Sequence, residues 1–286
     1  MRAELLLCAL LLSAPLVRAQ EKKDDAKKDA PRVTLIAPLG VNAGATATAR
    51  VRGLKLADAT EVKFPDAKTP ITVTIKSKGK ADLPPGAEAA DAGDTQVEVE
   101  LTVPKETPAG ELPLVVVTPA GQTTPRALLV TDPATTIDEK EGNNGFRQAQ
   151  ALKPPATVRG RIENPDDVDV FSFTARSGQT VVAEVSAARY GSLLDSLLTL
   201  YDARGNVLAS NDDATPDADA TGDDDGDRKK DPEKALAARA RRDSVLKFRC
   251  PSDGTYYLSL LDANARGGAA HVYQLTVRLS DENPAK

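Results

Sequence analysis

The sequence has no tryptophan, one histidine, one methionine and two cysteines, and only 3% of its residues are aromatic. Each shortage excludes a kind of chemistry. With His271 as the sole histidine, no site built on paired histidines can exist, and a nucleophile–histidine couple would have that one imidazole to use. No serine stands in a GxSxG setting. Carboxylates are plentiful, but without tryptophan the Asp-rich loops lack the aromatic platforms on which a glycosidase holds its sugar. These absences predict a chain with no catalytic residues. Basic excess is missing as well: the formal net charge is −5, which argues against a nucleic-acid partner. Long apolar runs are confined to Leu5–Val17, too short for a bilayer that needs about 20 residues.

That short run, after Arg2 and before Val17-Arg18-Ala19, has the form of a secretory signal peptide over residues 1–19. It implies a secreted, periplasmic or cell-surface protein with no membrane span. Cys8 leaves with the signal, so Cys250 would stand alone and no intramolecular disulfide could form in the oxidising compartment. Cys250 shares the parity of Leu246 and Phe248, which predicts a buried, inert thiol.

Residues 20–30 are charged and poor in apolar side chains, the composition of a disordered leader. The remainder is long enough for two domains of about 100–200 residues each. From 31 to 132, short runs alternate with period two. In Ile71–Ile75 the apolar residues take one face and threonines the other, and in Val97–Val103 glutamates and a threonine replace them. Together with Val33–Ile36, Thr46–Arg52, Leu112–Val117 and Ala127–Val130, these predict an antiparallel β-sandwich of six or seven strands. Phe64 is the only aromatic of the first 145 residues, so this core must be aliphatic. Residues 133–145 read as a linker. From 146 to 280, eight further strands are predicted, the clearest being Val272–Leu279 with Tyr273, Leu275, Val277 and Leu279 on one face. They imply a second, jelly-roll-like sandwich interrupted by an insertion over 211–242 and followed by a tail, 281–286. The insertion holds an Asp-rich stretch and then a basic stretch in which Pro232–Arg242 fits a short helix.

Three stretches carry a family likeness: Asp166-Asp-Val-Asp-Val-Phe-Ser-Phe173, Leu197 to Asp213, and Asp243–Phe248 followed by Gly254-Thr-Tyr-Tyr-Leu258. In this order, over residues 138–280, they resemble the bacterial pre-peptidase C-terminal (PPC) domain, which is similar to the collagen-binding domains of collagenases. The Asp/Arg-rich insertion departs from that pattern. The first half, through Pro38–Gly44, Val51–Leu54 and Pro108–Gly110, resembles immunoglobulin-like domains of the plexin and transcription-factor type. The resemblance implies an all-β protein of two antiparallel sandwiches, with an accessory role beside secreted hydrolases.

Calcium takes 6–8 oxygen ligands. Glu139-Lys-Glu141-Gly-Asn143-Asn144 offers two carboxylates and two amides, and resembles the segment that carries calcium in the collagenase modules. That resemblance adds Asp166 and Asp169 to the ligand set, with Asp167 as a substitute for Asp166. The same residues also fit a simpler reading, in which Asn143 or Asn144 caps a helix over 145–152. Asp217–Gly222 matches half of an EF-hand loop, but Arg228 stands where a bidentate glutamate is required, so the pattern fails. Tyr190 and Tyr257 are candidates for exposed contacts to an extracellular protein or polysaccharide, against ordinary packing. The function implied is a non-catalytic binding or accessory protein; the alternatives are a helper in export or folding of a hydrolase, and a hydrolase itself.

Overall fold

The structure is a computed structural model that describes residues 30–213 and 241–281. The signal, the leader and residues 282–286 of the tail lie outside the described residues, as do residues 214–240, with the EF-hand-like stretch and nearly all of the 232–242 helix expectation.

The chain is all-β, and its strands assemble as four sheets in two face-to-face pairs. In the first pair, β1 (Arg32–Ala37), β3 (Thr46–Leu54), β6 (Thr95–Thr102) and β5 (Thr72–Lys80) form one antiparallel sheet in the order β1-β3-β6-β5. The facing sheet runs β2 (Gly40–Asn42), β9 (Arg126–Thr131), β7 (Gly110–Thr118) and β4 (Glu61–Lys63), with β8 (Gly121–Gln122) paired to β7. Alternation decides the inward rows: Val97, Val99 and Leu101 are fully buried, while Glu98 and Glu100 face water. The core they join is aliphatic, built on Ile36, Val51, Leu56, Leu114 and Leu128. One helical turn, α1 (Ala89–Ala92), sits against β3, and Arg52 donates to its Ala92 carbonyl at 2.9 Å.

The second pair comprises β10 (Thr136–Asp138), β12 (Ala156–Arg161), β19 (Val272–Ser280), β14 (Thr180–Ser186) and β17 (Val245–Arg249), facing β11 (Gln150–Ala151), β13 (Asp169–Ala175), β18 (Gly254–Asp262), β15 (Ser196–Tyr201) and β16 (Val207–Asn211). Phe171, Phe173, Tyr256 and Tyr273 give this core its aromatic content, and Cys250 is buried with them.

Two expectations need correcting. The stretch read as a linker is built into the second sandwich: Thr136–Asp138 lies parallel to β12 as an edge strand, and Glu139 N–H donates to the Arg159 carbonyl. Residues 145–152 are no helix either; a turn at 146–148 leads into β11, parallel to β13. Both segments are short and mostly exposed, so they carry no alternation to read. At the insertion, Asn211 belongs to β16 and its Oδ1 accepts Val245 N–H.

The two sandwiches meet along an apolar seam. Leu35, Leu39 and Leu129 of the first pack on Ala270 and Val272 of the second, with Leu193 and Tyr190 alongside. Two glycines permit the approach. A Cβ on Gly191, whose φ is +90°, would lie 1.9 Å from the Thr34 carbonyl oxygen, and one on Gly40 would lie 2.3 Å from Gln274 Nε2.

Candidate functional site

Where the chain passes into the second sandwich, β10 and the segment after it bring three carboxylates together. Oxygens of Glu139, Glu141 and Asp169 all lie within 4.8 Å of one another. Each is placed by local structure. Glu139 follows β10 and is turned towards β12, where its Oε2 accepts Arg161 N–H at 3.1 Å. Gly160 leaves the room: a Cβ there would sit 2.3 Å from the Tyr273 hydroxyl and 2.6 Å from Glu139 Oε2. Asp169 opens β13 and is wholly buried, and Tyr273 donates its hydroxyl to Asp169 Oδ2 at 2.7 Å. Asn143 is stitched beside it, because Val170 N–H donates to the Asn143 carbonyl at 3.0 Å.

The polar atoms left over are the informative ones. Glu139 Oε1, Asp169 Oδ1 and both amide atoms of Asn143 are buried; the amide atoms have no hydrogen-bond partner, and the two carboxyl oxygens can bond only to each other, when one of them holds a proton. Buried polar groups are paired in the large majority of cases, so a cluster of orphans calls for an unseen partner. Burial, and then the neighbouring Glu139, Asp167 and Glu163 carboxylates, raise the Glu141 carboxyl to about 7. Asp169 is pushed far up by burial and by Glu139 beside it. Ionisation of Glu141 and Asp169 is disfavoured by burial and by their acidic neighbours, and a cation would relieve it. The donors are all oxygens, a set suited to calcium and unsuited to metals that prefer imidazole or thiolate.

The other expected residues fall around this core. Asp166 and Asn144 are exposed and stand outside the carboxylate trio. Asp167 is buried, and its Oδ2 accepts Glu163 N–H at 2.5 Å, which holds the turn before β13. Tyr190 lies at the seam, donating to Glu111 Oε1 at 2.7 Å. Tyr257 faces outward from β18 but is covered by Phe146, whose ring centre is 4.7 Å from it and 5.0 Å from that of Tyr201. Sequence reasoning had not singled out Phe146 or Tyr201; the outward parity of Tyr201 in β15 was the available signal. His271 is buried with neither ring nitrogen partnered, and burial lowers its pKa.

Residues 167–261 match the family model of the bacterial pre-peptidase C-terminal domain. The second sandwich carries a PPC domain. PPC domains are non-catalytic modules. Over 134 residues the chain is 33% identical to a probable subtilase-type serine protease of Deinococcus radiodurans, a match covering 45% of this chain. The chain spans only 15% of that relative's length. Among solved structures it is similar to the PPC domain of a Bacillus anthracis collagenase, with 18% identity, 46% of this chain and 94% of that one covered, and a TM-score of 0.31. A second likeness is to SGBP-B of the Bacteroides ovatus mixed-linkage glucan utilization locus, with 13% identity, 88% and 75% covered, and a TM-score of 0.26. The matched family residues contain Asp167 and Asp169, whereas Glu139, Glu141 and Asn143 precede them. Among the described residues, no helix is long and apolar enough to cross a membrane.

Proposed function

We propose that this chain is a non-catalytic accessory protein of the secreted or cell-surface compartment, in which calcium orders the segment leading into the PPC domain and the assembled sandwiches bind an extracellular protein or polysaccharide. One observation carries the metal reading: the buried Asn143 amide stands unpaired beside Glu139, Glu141 and Asp169, whose oxygens lie within 4.8 Å of one another. Glu139, Glu141, Asn143 and Asp169 would hold the ion. When bound, it would supply the positive charge that favours ionised Glu141 and Asp169. Gly160 keeps the cradle open, Tyr273 orients Asp169, and the Val170–Asn143 backbone bond fixes the amide. The match to a subtilase-type protease supports a second reading, service to a secreted hydrolase in its export or folding.

The test is thermal. A ligand that binds only the folded state adds about 2.7 kcal/mol at 100 times its dissociation constant. Chelator should lower the melting temperature relative to excess calcium, and Glu141→Ala should remove the difference. Equal melting of the parent protein in chelator and in millimolar calcium would contradict the metal reading.

A further inference from the structure

The segment that carries Glu139, Glu141 and Asn143 ends in the sequence's only Asn-Gly pair, Asn144-Gly145. Such a pair is chemically special because glycine has no Cβ to shield its nitrogen from the side chain before it. Whether it reacts depends on how firmly the fold holds that nitrogen and the neighbouring amide.

Here the fold holds neither. Asn144 is exposed, in irregular chain just ahead of the turn at 146–148. Among the described residues, neither its side-chain amide nor Gly145 N–H has a hydrogen-bond partner. The turn anchors the glycine from its other side, where the Gly145 carbonyl accepts Gln148 N–H at 3.0 Å. Nothing is packed over the pair: a Cβ on Gly145 would meet Gln148 Oε1 at 3.1 Å and no other atom within 4 Å.

Every other described asparagine is restrained and precedes a residue with a side chain. Asn143 is buried and precedes Asn144. Asn42 Oδ1 accepts the Thr131 hydroxyl, and Asn164 Oδ1 accepts Asp166 N–H ahead of Pro165. Asn206 and Asn264 donate their amides to Asp202 and Asp195, and Asn211 is bonded through both Oδ1 and Nδ2.

We propose that Asn144 is a site of self-modification by deamidation, with water as the second reactant. The Gly145 nitrogen gives up its proton and attacks Asn144 Cγ. The bond from Cγ to the side-chain nitrogen breaks, and ammonia leaves carrying that proton. The five-membered imide left behind is opened by water at either of its two carbonyl carbons. Opening at Cγ leaves aspartate; opening at the main-chain carbonyl leaves isoaspartate, with the chain rerouted through the former side chain. Either product adds a carboxylate beside Asn143. The isoaspartyl form also lengthens the main chain by one methylene directly after Asn143, whose carbonyl accepts Val170 N–H. The reaction itself needs no ion, so it stands apart from the metal reading.

Peptide mapping by mass spectrometry tests this on the full chain, incubated at pH 8.5 and 37 °C in excess chelator and sampled over weeks. The peptide containing Asn144 should convert to two products, aspartyl and isoaspartyl, each heavier by the difference between an acid and an amide. Peptides carrying the other described asparagines should change about tenfold more slowly or not at all. Gly145→Ala, whose methyl has room beside the mobile end of Gln148, should slow the conversion about tenfold, and Asn144→Gln should abolish it. A synthetic peptide spanning residues 140–149 sets the rate of an unrestrained chain. An Asn144 peptide that stays unchanged, that converts as fast in Gly145→Ala, or that converts more than about tenfold more slowly in the folded chain than in the free peptide would overturn the proposal.

Discussion

A buried amide with no partner costs about 1–3 kcal/mol, and Asn143 carries that cost beside Asp169, whose ionisation is disfavoured by burial and by Glu139. Opposite signs follow for one substitution. Without calcium, Asn143→Ala should be as stable as the parent or more so, because the orphaned amide is gone; in calcium it should melt lower. Paired melting curves in chelator and in calcium check both signs. The acids give a pH dependence. Glu141 is raised to about 7 and Asp169 is raised as well, so in the metal-free protein their contribution is complete below the unfolded carboxyl range and is lost as pH climbs through the folded values. Chelated protein should therefore melt lower at pH 8 than at pH 5. Calcium affinity should move the other way, rising by up to about tenfold per pH unit below 7 for a displaced proton. Titrations at pH 5.5, 6.5 and 7.5 would show it. Asp243 is a separate anchor: its fully buried carboxylate accepts from Ala187, Ala188 and Arg189 backbone N–H groups and pairs with Arg189 Nε at 2.5 Å. Asp243→Ala should cost about 3 kcal/mol by chemical denaturation.

At the scale of elements, strands were legible wherever one face is dry and the other wet. The Val97–Glu100 alternation and the Tyr273–Leu279 row both appear as read. The misses have physical causes. Thr136–Asp138 and Gln150–Ala151 are two or three residues long and pair in parallel, so period two never declares itself. In β1 and at the start of β19 both faces are buried, Ile36 in the first core and Leu35 and Val272 in the seam, so alternation is erased where the sandwiches touch. Glu139 and Glu141 were visible as part of an acidic, Asn-rich segment, but the placement of Gly160 and Tyr273 beside them depends on β12 and β19 being neighbours, which no local pattern announces. Phe146 stands three residues after Asn143 and packs on Tyr201 and Tyr257. Phe146→Trp would introduce the chain's only tryptophan, and calcium should shift its emission if the ion orders that segment. An emission unchanged by calcium that nonetheless binds would separate the aromatic cap from the metal.

For the whole molecule, the seam decides whether two sandwiches behave as one body. Gly191→Ala forces a side chain onto the Thr34 carbonyl at a positive φ, and should split a single calorimetric transition into two while leaving each core folded. A cation beside Asp169 would have the tyrosine bonded to that acid as its reporter. With no tryptophan present, terbium seated on Glu139, Glu141, Asn143 and Asp169 should luminesce when tyrosine is excited, because Tyr273 lies 2.7 Å from Asp169 Oδ2. Calcium should quench that signal by displacement at one ion per chain, and Tyr273→Phe should dim it without loss of calcium binding by calorimetry. Terbium emission that calcium does not displace, or that persists in the Glu141→Gln, Asp169→Asn double variant, would contradict the account.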